Sequence, residues 1–318
     1  MAAKNKSNEI LITRIYEAPL KTVWDAFTEP EQAAQWWGPR GFTLTTYSKD
    51  LRPGGIWHYT MHGPDGTDYQ NKTVYLEVEK HKKLVYDHGG DDDRPPLFRV
   101  TVLFSELKGR TKMDMTMTLP TAEDAEQTRQ FIKQAGGNST WDRFAEYLDK
   151  SLRHQDSFVI NRSFEAPINV VFEMWTEANH FSQWLAPVGF HMKFLRADIQ
   201  EGKTSFYVME NNDNVKMYGR IEYLKIEKPH TIAYKQSFCD EREQPARHIF
   251  DPSWPETMLT LVTLSEEEAG CTRVTVTWTL LNSATDSERN TFIKGRTGMT
   301  QGWTGSFDKL EEYLQARL

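Results

Sequence analysis

The chain has 318 residues, of which 38 are basic and 45 acidic, for a formal charge of −7. That balance gives no global electrostatic drive toward nucleic acid or an anionic membrane, and no run approaches the roughly 18 apolar residues of a membrane span. The two cysteines, Cys239 and Cys271, are too few for a disulfide framework, and with no apolar stretch in the opening MAAKNKSNEI a reducing, cytoplasmic location is expected.

Ile10 to Tyr16 reads as a strand ending at Ala18-Pro19, where a proline suits the start of a helix because its missing N–H would find no partner there. Leu20, Val23, Trp24 and Phe27 follow at helical spacing on one face. A second short helix is expected to carry Gln35-Trp36 and to stop before Gly38-Pro39. In GGIWHYTM the period becomes two, with Trp57, Tyr59 and Met61 on the bulkier, inward face. Strands are expected over 71–78, 83–87, 98–104 and 111–118, and the last sets Met113, Met115 and Met117 against Asp114, Thr116 and Thr118. A terminal helix carries the stripe Trp141, Phe144, Ala145, Leu148 and Leu152, and Gly136-Gly137 are expected to break or kink its approach.

After a short linker the plan repeats. IYEAPLKTVWDAFTEPEQAAQWW returns as SFEAPINVVFEMWTEANHFSQWL, with Arg14 and Arg162, Pro19 and Pro167, Gln35 and Gln183, and Trp36 and Trp184 each 148 positions apart. Two domains, 1–152 and 157–318, are therefore expected. Tyr207 and Met209 keep the places of Tyr59 and Met61; Val274, Val276 and Trp278 take those of the three methionines; Trp303, Phe307, Leu310 and Leu314 form the second terminal stripe. Trp141 corresponds to Phe307 and Phe144 to Leu310, which puts Gly137 opposite Trp303.

Each half thus reads as strand, two helices, a run of antiparallel strands and a long helix, an α+β class. Six or seven strands about 4.8 Å apart span roughly 30 Å, whereas one helix covers about 10–12 Å. The sheet must curl around the helix, and large side chains or an enclosed space must take up the remainder. The candidates for lining such a space are Trp36, Trp57, Tyr59, Met61, Tyr86, Met113, Met115, Met117 and Trp141 in the first half. In the second they are Trp184, Tyr207, Met209, Tyr234, Trp278 and Trp303. Core packing alone accounts for large apolar residues; a soft methionine wall with tyrosines to orient a polar end is the competing reading.

The segments EAPLKTVWDAFTEPEQAAQWWGPRGF, LRPGGIWHYTMHGPDG and KLVY, followed by the strand pair and terminal helix, resemble the activator of heat-shock-90 ATPase homologue-like domains of the START/SRPBCC superfamily. The second half keeps FEAPINVVFEMWTEANHFSQWLAPVGF but has QEGKTSFY for the paired-glycine turn and lengthens Cys239 to Glu256. The resemblance implies a helix-grip fold, a curved antiparallel sheet around a C-terminal helix with a cavity between them, duplicated in tandem.

Chemistry is sparse by comparison. No nucleotide-binding or nucleophile-elbow spacing occurs, and Gly295, Gly298 and Gly302 lack the intervals for phosphate binding. His58 and His62 fall on a strand, where four-residue spacing does not converge on a metal, and DHGGDDDRPP (87–96) reads as a solvated loop. No metal, cofactor or catalytic group is called for. His191, just after Gly189-Phe190, is placed to face the second cavity, but a lone histidine with no identifiable carboxylate partner is weak evidence for an acid or base. The leading expectation is non-enzymatic binding of a hydrophobic or amphipathic small molecule. The alternatives are a co-chaperone-like protein of the stress response acting on a heat-shock-90 chaperone, as the resemblance implies, and a polyketide-cyclase-type enzyme. The second half, with Trp278 in place of Met117, is expected to be the copy whose pocket has filled.

Overall fold

A computed structural model describes residues 8–89, 95–134, 139–152 and 157–317. The chain divides into two compact units, Met1–Leu152 and Arg153–Leu318. Gly136 and Gly137, with part of the acidic 87–96 loop, lie outside the described residues.

The first unit runs β1 (Glu9–Tyr16), α1 (Leu20–Thr28), α2 (Pro30–Ala33), β2 (Thr43–Lys49), β3 (Ile56–His62), β4 (Asp68–Glu79), β5 (Lys83–His88), β6 (Phe98–Leu107), β7 (Arg110–Thr118), α3 (Ala122–Gln134) and α4 (Ser139–Leu152). The second repeats it as β8 (Ser157–Phe164), α5 (Ile168–Thr176), α6 (Ala178–Trp184), β9 (Phe190–Arg196), β10 (Thr204–Asn211), β11 (Lys216–Glu227), β12 (Thr231–Cys239), β13 (Thr257–Glu268), β14 (Cys271–Leu280), α7 (Asp286–Lys294) and α8 (Arg296–Gln315). Each has a seven-stranded sheet, in the orders β1-β7-β6-β5-β4-β3-β2 and β8-β14-β13-β12-β11-β10-β9. Every neighbouring pair is antiparallel. Register shifts at Tyr75/Glu77 and, 148 positions on, Tyr223/Lys225 bend the two sheets at the same place. This is the helix-grip architecture, made twice.

The same hydrogen bonds hold both copies together. Trp36 Nε1 donates to the Ala26 carbonyl at 2.9 Å, and Trp184 Nε1 to that of Met174 at 3.0 Å. Thr111 and Thr272 hydroxyls donate to the carbonyls of Ala18 and Ala166 at 2.8 and 2.7 Å, tying the last strand to the start of each helix pair. On the terminal helices, Tyr147 donates to Gln32 Oε1 at 3.2 Å where Tyr313 meets His180 Nδ1 at 3.0 Å. Arg143 donates to the Gly38 and Pro39 carbonyls where Lys309 donates to those of Ala186 and Pro187. These last two pairs keep the helix register in which Trp141 matches Phe307.

Two local outcomes differ from the sequence expectations. Trp36 sits in a turn after α2 instead of on the helix, because Gln35 and Trp36 N–H groups bond three residues back, to Gln32 and Ala33; α6 does extend to Trp184. The helices α3 and α7 are additional to the elements expected from the sequence. Thr285 and Glu288 form a capping box at the start of α7. The sequence carries that signal as T-D-S-E.

Candidate functional site

In the first unit most of the candidate residues pack against one another between sheet and helix. Trp36 is fully buried and stacks on Phe144 at 3.9 Å between ring centroids. Trp37 meets Trp57 edge-on at 4.8 Å, and Trp57 lies 4.2 Å from Tyr59. Met113, Met115, Met117 and Tyr86 belong to the same buried cluster, with Met61 and Trp141 packed against its margin. Lys49 caps one end, its Nζ 3.9 Å above the Trp57 ring, and burial pushes its ammonium down to about 7. A groove of about 610 Å³ in this unit, lined by Pro95, Pro96, Leu97, Phe98, Leu119, Pro120 and residues of α3, includes none of the candidates.

His88, at the end of β5, stacks on Phe98 at 4.9 Å, and burial pushes its pKa down to about 4. Its ordinary value is near 6.5, so above that pH both folded and unfolded chains hold it neutral and nothing is lost. Between about 6.5 and 4 the unfolded chain takes up the proton first, so stability falls as pH falls, by up to about 3 kcal/mol. Urea unfolding at pH 7 and pH 4.5 is expected to show this loss in the wild type and a smaller one in His88→Phe; identical losses in both would remove His88 as the cause.

The second unit holds a cavity of about 480 Å³ between β10–β14 and α8. The expectation that this copy had filled is therefore corrected. Two of the indoles that plug the first unit are missing from equivalent places 148 positions on: Trp37 becomes Leu185 and Trp57 becomes Ser205. Ser205 is buried and bonded to the backbone of Asp198 at 3.0 Å, and Leu185 lies on the cavity wall. Trp278 does not fill the space: it stands edge-on to Trp303 at 5.7 Å, and the two form a wall.

Glycines shape the opposite side. A Cβ on Gly298 or Gly302 of α8 would meet no atom within 4 Å, although both residues line the cavity. Gly295, just before α8, does the reverse: a Cβ there would come within 2.6 Å of the Trp254 ring, so the absence of a side chain lets that indole close over the helix start. Opposite Tyr207 on β11 is Gly219, where a Cβ would come within 2.2 Å of the phenol oxygen; Tyr59 faces Asn71 instead.

The lengthened segment between β12 and β13 supplies one wall of the cavity through His248, Asp251 and Trp254. Arg247 anchors it to α7 by donating to Glu288, whose carboxyl is held down at about 2, chiefly by the Thr285 backbone N–H. His248 sits 4.9 Å from the Phe238 ring. Tyr207 is buried, its hydroxyl accepting from Gln236 Nε2 at 2.8 Å, and burial raises its pKa far above neutrality.

Comparison with known proteins shows the family. The profile of the family described as activator of Hsp90 ATPase homolog 1-like protein matches residues 17–149 and again 165–315. The chain belongs to that family. Among solved structures, it is similar to a Staphylococcus epidermidis protein at 30% identity, over 48% of this chain and 97% of that one, TM-score 0.43. It is also similar to the AHSA1 protein of Silicibacter pomeroyi (15% identity, 51% of this chain and 99% of that one, TM-score 0.40). Similarity to BexL, titled a di-domain ARO/CYC of the BE-7585A biosynthetic pathway, extends over 96% of this chain and 97% of that one, at 11% identity and TM-score 0.39. No curated protein matches the chain.

Within this tandem Hsp90-activator-like chain, the structure brings Tyr207, Met209, Trp278 and Trp303 to one cavity. Trp184 and Tyr234 are instead buried in the core behind it. His191 is exposed on β9 and does not line the cavity, so its expected place is corrected: on a strand the side chain alternates with Met192, and Met192 takes the inward position. His62 bonds Thr45 and Asp68. Among the described residues no three His, Cys, Asp or Glu side chains gather as metal ligands, and no helix is long and apolar enough to cross a membrane. Sequence reasoning missed Met217, Gln236, His248, Trp254, Met258 and Met299 as lining residues. The usable signal in the sequence is the series Gly295, Gly298 and Gly302 at helical spacing.

Proposed function

We propose that this protein is a binding module whose second unit encloses an apolar or amphipathic small molecule between the sheet and α8. The observation that carries the reading is the cavity of about 480 Å³, within the roughly 300–1,000 Å³ typical of small-molecule sites. Four methionines beside three indoles give it an adaptable apolar wall with few polar groups, the composition such sites use. In this reading the first unit is the packed copy of a duplicated scaffold, its Trp37 and Trp57 being buried where the second unit has Leu185 and Ser205.

Native mass spectrometry of the intact chain, purified without denaturant, tests this. A drug-sized adduct that leaves on unfolding is expected. A bare chain that also takes up none of a graded set of apolar probes would remove the proposal.

A further inference from the structure

Two side chains that line the cavity, Tyr207 and His248, each hold a proton they can donate. Tyr207 accepts from Gln236, and no described residue accepts the phenol's own proton. Turning the Gln236 amide over would make the tyrosine the donor and free an amide N–H, so either arrangement leaves a donor over. His248 Nδ1 accepts the Asp251 backbone N–H at 3.1 Å, which places the neutral ring's hydrogen on Nε2. Burial lowers the His248 pKa, with the Asp251 charge acting the other way, so the neutral form prevails near pH 7. Trp278 Nε1 is buried and has no hydrogen-bond partner among the described residues. Ser306, by contrast, is already committed to the Leu185 carbonyl at 2.9 Å.

Charge narrows the class further. Asp251 is the one charged residue among the described residues that line the cavity, and no lysine or arginine joins it. A buried carboxylate without a cationic partner is costly, and here it would also face a like charge. An ammonium would find one carboxylate but would meet the positive ends of O–H and N–H dipoles.

We infer that the cavity takes a neutral, largely apolar molecule bearing a carbonyl-type acceptor, which receives hydrogen bonds from Tyr207 and His248 while Trp254, Trp278 and the methionines hold its apolar body. This rests on the cavity being a binding site, and it names the class of guest. Tyr207 comes from the sheet and His248 from the segment that is lengthened in the second unit, so the preference belongs to the second unit alone.

The test uses the intact chain and two matched ligand series, followed by tryptophan fluorescence. One is rigid: fluorene, 9-fluorenone, fluorene-9-carboxylate and 9-aminofluorene. The other is flexible: undecane, 2-undecanone, undecanoate and undecylamine. A ketone is expected to bind about three- to tenfold tighter than its hydrocarbon for each neutral hydrogen bond it accepts, and tighter than either ion. Tyr207→Phe and His248→Phe, each checked for folding by circular dichroism, are expected to shrink that ketone preference. Equal binding of ketone and hydrocarbon, or tightest binding of the carboxylate or amine, would overturn the inferred class while leaving a binding module in place. Failure of every compound to bind would overturn both.

Discussion

Gly302→Leu is expected to weaken guest binding by roughly ten- to a hundredfold, the scale on which inserting extra methylenes into an occupied apolar site is penalised. Unliganded protein is expected to become more stable at the same time. Gly302 lies within α8 and shows no left-handed backbone, so a side chain fits the local conformation, and no atom within 4 Å obstructs the first carbon. Replacing a helical glycine by a strong helix former contributes up to about 1 kcal/mol, worth about 2–4 °C in midpoint for a unit of this size. Gly298→Ala is expected to share the stability gain with a smaller effect on binding. The pair of measurements is calorimetric melting without ligand and a titration with the best-binding ketone. A melting point that drops would mean that the glycine face is packed against something and is not the floor of a cavity. Unaltered affinity would place the guest elsewhere.

Trp36→Ala is expected to destabilise the first unit by about 3–5 kcal/mol. The side chain is fully buried, stacked on Phe144 and bonded to the Ala26 carbonyl. Its removal leaves a cavity among rigid rings that collapse poorly, and it leaves a buried acceptor with one partner fewer. Against a typical total stability of about 5–15 kcal/mol, such a loss takes much of the margin. Urea unfolding of the intact chain should show an early transition absent from the wild type. Trp184→Ala is expected to do the same to the second unit, because Trp184 bonds Met174 in the same way. A loss below about 1 kcal/mol in either variant would show that these indoles are not keystones of the two cores.

Much of the architecture was legible in the chain itself. The 148-residue offset, the strand alternation of Trp57 with Tyr59 and the helical stripe ending in Leu310 and Leu314 are local periodicities, and they survive folding because each describes one face of one element. The mirrored bonds of Trp36 and Trp184 follow from the same repeat.

The candidate site was less legible, although one clue lay in plain view. Ser205 in QEGKTSFY stands where the first half has Trp57, and Leu185 where it has Trp37. Read alone, Trp278 and Trp303 suggested a second half filled to capacity; read against those two losses, they mark a wall with room beside it. Residue volume is written in the sequence, but whether a ring fills a space or borders it depends on where its neighbours stand in three dimensions.

By itself, then, the sequence determined a duplicated α+β scaffold, its strand and helix faces, and the register that joins its two copies. Only the tertiary structure decided that a cavity lies between the sheet and α8 of the second copy. The sum of side-chain volumes around a curved sheet balances or fails to balance across elements distant in the chain, and glycines on α8 count toward that balance only once the helix is laid across the sheet. The placement of His248 beside Tyr207's cavity was decided in the same way, since a loop between two strands has no periodicity from which its direction can be read.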